Sequence, residues 1–354
     1  MSLCSWTSQA AKPSAYYQKK KMKKFIEEWY NDSEYVEVKT SGSTGEPKRM
    51  MVEKRRMLNS ARITCDFLGL KPGDTALLCM STDYIAGKMM VVRSIERGLK
   101  LISVEPSGHP LANNYQLSAR LCRLAQPRIV NCQLDFAAMV PMQVYNSLQV
   151  PEERERLMAI RHLIIGGGAI DDAMEAELRK FPNAVWSTYG MTETLSHIAL
   201  RRISGPEASE WYIPFPTVKL STTDEGCLVI DAPEVCADTL TTNDIVELKP
   251  DGRFRVMGRK DNVICSGGIK IQIEEVEREL KPYVRVPYII SKKKNEKFGE
   301  IVVLLTEGDT DEARAICEEH LPKYHRPKLY QHIDQIPLTE TGKPARKKIL
   351  ELIF

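Results

Sequence analysis

The most informative stretch of this chain is Thr40-Ser41-Gly42-Ser43-Thr44-Gly45-Glu46-Pro47-Lys48, which follows a predicted strand at 35–39. Its glycines tolerate positive φ, so successive backbone N–H groups can turn into one concave nest, surrounded by hydroxyl groups and a lysine. This arrangement is suited to gripping polyphosphate. The spacing is not that of the GxxxxGK[ST] loop, because Lys48 stands at another place. A solvent-exposed polar loop is the alternative, but the preceding strand and the terminal Pro47-Lys48 favour phosphate binding.

Short apolar runs alternate with helical patterns as far as about residue 187. Predicted strands lie at 35–39, 75–79, 101–104, 128–132, 162–165 and 185–188. Predicted helices lie near 53–68, 85–97, 114–125, 133–147 and 171–181. This alternation is typical of an α/β domain with a largely parallel sheet.

The pattern changes twice further along the chain. Between 198 and 256, short strand-like runs separated by glycine-containing turns predict a small antiparallel β unit. Beyond 259, predicted helices near 273–281, 311–320 and 343–353 alternate with strands near 285–291, 300–306 and 329–333. The predicted fold is a large N-terminal α/β domain with a parallel sheet and a small β unit (1–260), followed by a small, mobile α+β domain (261–354).

Composition narrows the class of protein. The 354 residues carry a formal net charge of only +3, which argues against a nucleic-acid-binding surface. Nine cysteines without a CxxC pair, and no export-signal pattern, fit reduced thiols in a cytoplasm. Six histidines show no zinc-binding spacing, and no apolar run has the length of a membrane span. The sequence leaves open whether the protein forms a homo-oligomer.

A second motif, Tyr189-Gly190-Met191-Thr192-Glu193-Thr194, lies at the end of a predicted strand. The Tyr189 ring can stack on a base, and the Thr192 hydroxyl can bind a phosphate or carboxylate oxygen. Glu193 offers an oxygen ligand for Mg²⁺, which binds through one or two carboxylates together with substrate phosphates. An ordinary strand-to-helix turn capped by Thr192 is the structural alternative.

Three weaker motifs follow. Asp244 can accept hydrogen bonds from ribose hydroxyls, and Arg259 in Gly258-Arg259-Lys260-Asp261 can hold a phosphate or ribose oxygen. Ser266-Gly267-Gly268 leads into a predicted helix. Lys343 stands beside a glycine in the segment 339–347, so its ammonium group can swing onto a developing anion.

These five motifs, in this order from Thr40 to about Lys347, resemble those of the adenylate-forming superfamily of acyl-CoA synthetases, peptide-synthetase adenylation domains and luciferase. The resemblance implies that ATP is held by Thr40, Ser41, Gly42, Ser43, Thr44, Gly45, Lys48, Gly166, Gly167, Gly168, Tyr189, Asp244 and Arg259. It implies catalytic roles for Lys343, Thr192 and Glu193, with Glu193 on Mg²⁺. Asp261 matches the hinge of the small domain, and Gly267 and Gly268 would line the channel for coenzyme A.

The implied reaction has two steps. A carboxylic acid attacks the α-phosphorus of ATP and releases pyrophosphate, and the thiol of coenzyme A then takes the acyl group from AMP. Two features depart from the family pattern. Asn243 replaces a glycine before the ribose aspartate, and the chain has about a hundred fewer residues ahead of the phosphate loop, one small domain's length. Either the branch is naturally compact, or a partner supplies the missing surface.

The acid pocket is expected among residues 83–93, 162–169 and 189–197, and Tyr84, Lys88 and Arg93 are candidate binding residues. The two cations are five residues apart on a predicted helix, so they need not face the same side. The compact length and this segment resemble the short bacterial o-succinylbenzoate–CoA ligases of menaquinone synthesis, whose substrate has two carboxylates. The alternatives are a ligase for another aromatic or short-chain acid, and a non-catalytic or partner-dependent adenylate-binding protein.

Overall fold

The computed structural model describes residues 13–39, 49–112, 134–338 and 344–353, which divide into two compact units. The first unit contains the described residues up to 215 together with 234–237, and the second contains 216–233 and the described residues from 238 onward.

A seven-stranded sheet forms the centre of the first unit. The elements of this unit are α1 (Pro13–Trp29), β1 (Tyr35–Lys39), β2 (Arg49–Glu53), α2 (Lys54–Phe67), β3 (Thr75–Leu78), α3 (Ile85–Arg97), β4 (Lys100–Ser103), β5 (Phe136–Met139), α4 (Pro141–Leu148), α5 (Pro151–Met158), β6 (His162–Ile165), α6 (Asp172–Leu178), β7 (Ala184–Gly190), β8 (His197–Arg202) and β9 (Ile213–Pro214). The strand order is β4-β3-β5-β6-β7-β8-β9. The first five strands in this order, from β4 through β3, β5 and β6 to β7, run parallel. β3 and β5 are buried along their whole length, as parallel strands covered on both faces are.

The second unit contains two sheets. Its elements are β10 (Lys219–Thr222), β11 (Cys227–Asp231), β12 (Leu240–Leu248), β13 (Phe254–Arg259), β14 (Val263–Ser266), β15 (Ile269–Gln272), α7 (Ile273–Leu280), β16 (Tyr288–Asn295), β17 (Gly299–Thr306), α8 (Thr310–His320), β18 (Leu329–His332) and α9 (Arg346–Glu351). β10 to β13 form an antiparallel sheet in chain order. The other sheet has the order β15-β14-β17-β16, and β18 pairs parallel with β17. The apolar face of α7, with Val276 and Leu280, packs on this sheet against Val302 and Leu304.

Most of the predicted elements are confirmed, including the α/β body and the C-terminal α+β arrangement. The predicted helix at 133–147 is wrong, because 136–139 form β5 and Pro141 begins α4. A four-residue apolar run does not distinguish a buried strand from a helix, whereas proline fits a first helical position. The predicted helix at 114–125 and strand at 128–132 lie outside the described residues.

The start of the β unit and the pairing of β1 also differ from the prediction. The β unit does not begin at 198, because β8 and β9 extend the large sheet as antiparallel strands. β1 pairs with β2 in a separate antiparallel pair, apart from the parallel sheet. The division into domains at 1–260 and 261–354 concerns motion and stays a prediction; its boundary coincides with the short 3₁₀ turn Lys260–Asn262. In the described ranges, no helix combines the length and apolar composition that crossing a bilayer requires.

Candidate functional site

The loop between β7 and β8 carries the second motif in a tightly fixed shape. A Cβ on Gly190 would overlap the Ser196 carbonyl oxygen and lie 2.5 Å from the His197 Cα, so only glycine lets the two strands approach. Inside the loop, the buried Thr194 hydroxyl accepts the Met191 N–H at 3.1 Å and lies 2.8 Å from the Ser196 carbonyl oxygen. The loop therefore joins two strands and does not begin a helix.

This loop presents Thr192 half-buried and Glu193 exposed. Among the described residues, no cluster of three His, Cys, Asp or Glu side chains could enclose a metal ion. A single exposed carboxylate fits Mg²⁺, which retains water and completes its octahedron with substrate phosphates. Glu193 is thus a suitable protein ligand for a magnesium ion that arrives with ATP.

A line of side chains behind Tyr189 supports its ring. The Tyr212 ring meets it edge-on, with the centroids 5.9 Å apart and the planes at 61°. The Tyr212 hydroxyl is 2.7 Å from the Ser187 Oγ, and Arg201 lies 5.6 Å from the Tyr212 ring. Arg201 also donates two hydrogen bonds to Glu175, at 2.8 and 2.7 Å. These contacts fix the orientation of the Tyr189 ring. Stacking on a base requires such a fixed orientation.

The glycine run 166–168 follows β6 and lies beside β7. A Cβ on Gly166 would overlap the Thr188 hydroxyl, and Gly167 has a φ of 80°. Because β6 and β7 are parallel neighbours, the structure brings this glycine run, Tyr189 and Thr192 together at their carboxyl ends. Ligands of open α/β sheets bind at that edge.

In the second unit, Asp244 and Arg259 are direct partners across β12 and β13. Arg259 donates to the Asp244 carboxylate at 2.9 Å and makes two further hydrogen bonds to Asp261, at 3.1 and 3.0 Å. Burial opposes the charge of Arg259, but these carboxylates outweigh it and raise its pKa. Burial likewise opposes the charge of Asp261, whereas hydrogen bonds from Arg259 and Asn243 lower its pKa overall. The structure thus joins three predicted residues, and Asn243 contacts the predicted hinge.

Gly267 and Gly268 form the two-residue turn between β14 and β15. Their φ angles are 59° and 85°, the left-handed values that such a hairpin turn requires. The Gly267 N–H donates to the Phe298 carbonyl oxygen at 2.8 Å. The turn is well defined, and its exposed glycines leave room for a chain to pass close to the backbone.

Two of the three acid-binding candidates, Lys88 and Arg93, point in different directions. Tyr84 is the residue before α3. The Lys88 Nζ donates to the Glu37 carbonyl oxygen and lies 3.6 Å from the Glu28 carboxylate. Arg93 instead donates to the Ser196 Oγ at 2.7 Å, in the loop that carries Thr192 and Glu193. Lys88 therefore faces α1 and β1, while Arg93 faces the candidate nucleotide loop.

Arg93 lies in a buried polar cluster. Its side chain is 2% exposed, and its Nε has no hydrogen-bond partner among the described residues. Burial lowers the pKa of Arg93 to about 10, so the guanidinium stays charged at neutral pH. His197 contacts the Ser196 hydroxyl at 3.2 Å and the Thr64 hydroxyl at 3.1 Å. Burial and the nearby Arg93 hold the pKa of His197 well below its usual value, so its ring is neutral.

Some predicted residues lie outside the described ranges, and some contributors were not predicted. Residues 40–48, with the phosphate loop, and Lys343 belong to the first group. Tyr212 belongs to the second, whereas Ser196 and His197 were predicted only as members of the acid-pocket range 189–197. Ser196 and His197 follow the Tyr189–Thr194 motif after Leu195, and an extension of that motif to 197 is the signal that includes them. Tyr212 lies on an irregular segment with no local signal.

The chain is similar in sequence to known proteins. The family model for AMP-binding enzymes matches residues 10–234. A 2-succinylbenzoate–CoA ligase from Listeria monocytogenes serotype 4b (strain F2365) is 26% identical over 340 residues, which cover 88% of this chain and 68% of the relative. A D-alanine–D-alanyl carrier protein ligase from Staphylococcus haemolyticus (strain JCSC1435) is also 26% identical, over 351 residues covering 88% and 70%.

Two solved structures share the fold. An acyl-CoA synthetase (AMP-forming)/AMP-acid ligase II-like protein from Dyadobacter fermentans DSM 18053 is 29% identical, with a TM-score of 0.63 and 97% of each chain covered. The o-succinylbenzoate–CoA synthetase from Bacillus subtilis, in complex with ATP and magnesium ion, is 21% identical, with a TM-score of 0.69 and 89% and 69% covered.

The packing behind Tyr189 generates a prediction about ATP affinity. Replacing Tyr212 by leucine removes the edge-on ring, so we expect ATP to bind about two- to ten-fold more weakly, as the loss of one aromatic pair implies. Tyr212→Phe keeps the ring and should lie close to wild type. Calorimetric titration with ATP measures this, with Tyr145→Leu, 53% exposed on α4, as the control. Unchanged affinity in Tyr212→Leu would contradict the supporting role.

Proposed function

We propose that this chain, which belongs to the AMP-binding enzyme family, joins 2-succinylbenzoate to coenzyme A as the ligase step of menaquinone synthesis. The chain is an AMP-forming acid–thiol ligase of the adenylate-forming superfamily. The proposal concerns its acid, its thiol and the residues that serve each step.

The first step makes the acid electrophilic. A carboxylate oxygen attacks the α-phosphorus of ATP, a new C–O–P linkage forms, and the bond to the pyrophosphate oxygen breaks. Bound Mg²⁺ would neutralise phosphate charge, and Glu193 is the described residue suited to hold it. Tyr189 and the glycines 166–168 would bind adenine, Thr192 the α-phosphate, and Asp244 with Arg259 the ribose. Residues 40–48 would hold the outgoing phosphates, and Lys343 would stabilise the developing charge.

The second step releases AMP. The sulfur of coenzyme A attacks the acyl carbon, a C–S bond forms, and the C–O bond to AMP breaks. The exposed Gly267–Gly268 turn can pass the narrow thiol-bearing arm close to the backbone. The small domain would turn about Asp261 between the steps, so that Lys343 withdraws and this turn takes its place.

The choice of acid rests on one observation, the buried guanidinium of Arg93. Among the described residues it forms no ion pair with a carboxylate, although an unpaired buried charge is costly. A substrate with a second carboxylate would complete this environment. Lys88 is a weaker candidate, because Glu28 already pairs with it.

The same observation argues against D-alanine, the substrate named for the staphylococcal relative. An amino acid brings an ammonium group, and a like charge close to a buried guanidinium is repelled. The neutral His197 ring beside Ser196 offers that ammonium no opposite charge. The cluster around Arg93 therefore favours a dicarboxylic acid.

Thioester formation tests the proposal directly. Purified enzyme would receive ATP, Mg²⁺ and coenzyme A with 2-succinylbenzoate, benzoate, acetate or D-alanine, and products would be identified by mass spectrometry. We expect a coenzyme A thioester with 2-succinylbenzoate alone. A further reaction, with D-alanine and a carrier protein that bears phosphopantetheine, distinguishes transfer to the carrier thiol from transfer to coenzyme A. Turnover of another acid, or transfer only to the carrier, would overturn the substrate while keeping the ligase chemistry.

Substituting Arg93 tests the acid pocket. Because a charged hydrogen-bond partner would be lost, Arg93→Met should lower kcat/KM for 2-succinylbenzoate about 10- to 100-fold. Because Arg93 also donates to Ser196 in the loop that carries Thr192 and Glu193, ATP affinity should fall too, but by less than kcat/KM for 2-succinylbenzoate. Arg62→Met is a matched control, because Arg62 is exposed on α2 and pairs with Glu96 at 3.3 Å. An equal loss with benzoate and with 2-succinylbenzoate would contradict recognition of the second carboxylate.

Lys343 is expected to serve only the first step. Lys343→Ala should abolish pyrophosphate release, because the positive charge between carboxylate and α-phosphate is lost. Thioester formation from preformed acyl-adenylate should remain largely intact. Stopped assays of each half-reaction measure this, with the exposed Lys347→Ala as the control. Equal loss of both half-reactions would rule out the assignment.

A further inference from the structure

The N-terminal helix α1 is tied to the acid segment at two points. Lys21 forms an ion pair with Asp83, the residue before Tyr84. One turn into α3, Lys88 lies 3.6 Å from Glu28 near the end of α1. The two ties engage both ends of the short stretch that contains Tyr84.

The inner tie is strong because Lys88 is enclosed. Its side chain is 9% exposed and lies 5.0 Å above the ring of Phe25, a buried residue of α1. Burial lowers the pKa of Lys88, and Glu28 opposes that shift. Lys88 also donates a hydrogen bond to the Glu37 carbonyl oxygen on β1, so its contacts among the described residues direct its charge towards α1 and β1.

The outer tie acts on the turn that precedes α3. The Asp83 carboxylate accepts a hydrogen bond from the Ser81 hydroxyl at 3.1 Å in addition to its pairing with Lys21. A Cβ on Gly87 would overlap the Ser81 carbonyl oxygen, so this turn presses directly on the first turn of α3. A displacement of Asp83 is therefore transmitted to the helix.

The opposite side of α3 meets the nucleotide loop through Arg93 and Ser196. Residues 87–94 of this helix are all buried, so α3 has little room to adjust independently of its neighbours. The seat of α1 and the position of Arg93 are consequently coupled through one rigid helix.

We propose that α1 is a positioning element of the acid site: Lys21 and Glu28, through Asp83 and Lys88, set where α3 presents Tyr84 and Arg93 to the acid. The inference rests on the proposed function, because it takes these two residues as acid-binding.

Charge reversal at the exposed outer tie tests the proposal. The side chains of Lys21 and Asp83 are 45% and 44% exposed, so an exchange of their charges buries nothing. We expect Lys21→Glu and Asp83→Lys each to raise the KM for 2-succinylbenzoate about three- to ten-fold, the range of an exposed pair turned repulsive. The KM for ATP should rise by less than the KM for the acid, and the double variant Lys21→Glu/Asp83→Lys should recover the wild-type values.

The control is Lys23→Glu, the same charge change on the same helix. Lys23 is 78% exposed and pairs at 3.8 Å with Glu27 within α1. Acid KM values that stay unchanged, or a double variant no better than the singles, would overturn the proposal. A parallel rise in both KM values with a lower melting temperature would also overturn it, because it indicates a merely structural tie.

Hydrogen exchange of the full-length enzyme separates this inference from the proposed function. Faster exchange over residues 81–93 in the single variants, with recovery in the double variant, is expected. Exchange equal to wild type in every variant would overturn the inference. If wild-type enzyme turned over no acid, the proposed function would fail, and the exchange rates would still decide whether α1 positions α3.

Discussion

The hydrogen bond from the buried Arg93 guanidinium to the Ser196 hydroxyl links the candidate acid-binding helix of the first unit to its candidate nucleotide-binding loop. α3 carries the acid-binding candidates, and Ser196 closes the loop that presents Thr192 and Glu193. A buried cation is expensive, so a fold retains one only where its partners repay desolvation. Among the described residues, Ser196 is a neutral partner, so this bond holds the loop without neutralising the guanidinium charge.

In the second unit, the guanidinium of Arg259 is instead paired with two carboxylates. Arg259 joins Asp244 to Asp261, so the expected ribose ligand and the expected hinge share one guanidinium. A nucleotide hydroxyl that hydrogen-bonds to Asp244 must compete with, or add to, this pairing. Asn243 contributes a hydrogen bond to Asp261 that a glycine could not make. At this position, which departs from the family pattern, the side chain thus interacts with the predicted hinge residue.

The sequence was sufficient wherever the chemistry is local. The glycine run and the Tyr189–Thr194 motif each end a strand, and parallel pairing brings them to one edge. Arg93 and Lys88 were identified as candidates, but their directions depend on which neighbours bury α3, which helical spacing does not determine. Tyr212 contacts Tyr189 from an irregular segment, and no sequence pattern predicts that contact. The strand at 136–139 was missed because four apolar residues fit either period.

The two similar relatives share the adenylate chemistry and differ in the acid and thiol named for them. Equal identity to both therefore says nothing about the pocket, because identity is spread over the whole chain. Selectivity depends on a few groups, and a single unpaired buried charge changes the relative affinity for anionic and cationic substrates by more than a neutral contact does. At 2% exposure, the charge of Arg93 is shielded from solvent, which is why it is the group on which the proposed choice of acid depends.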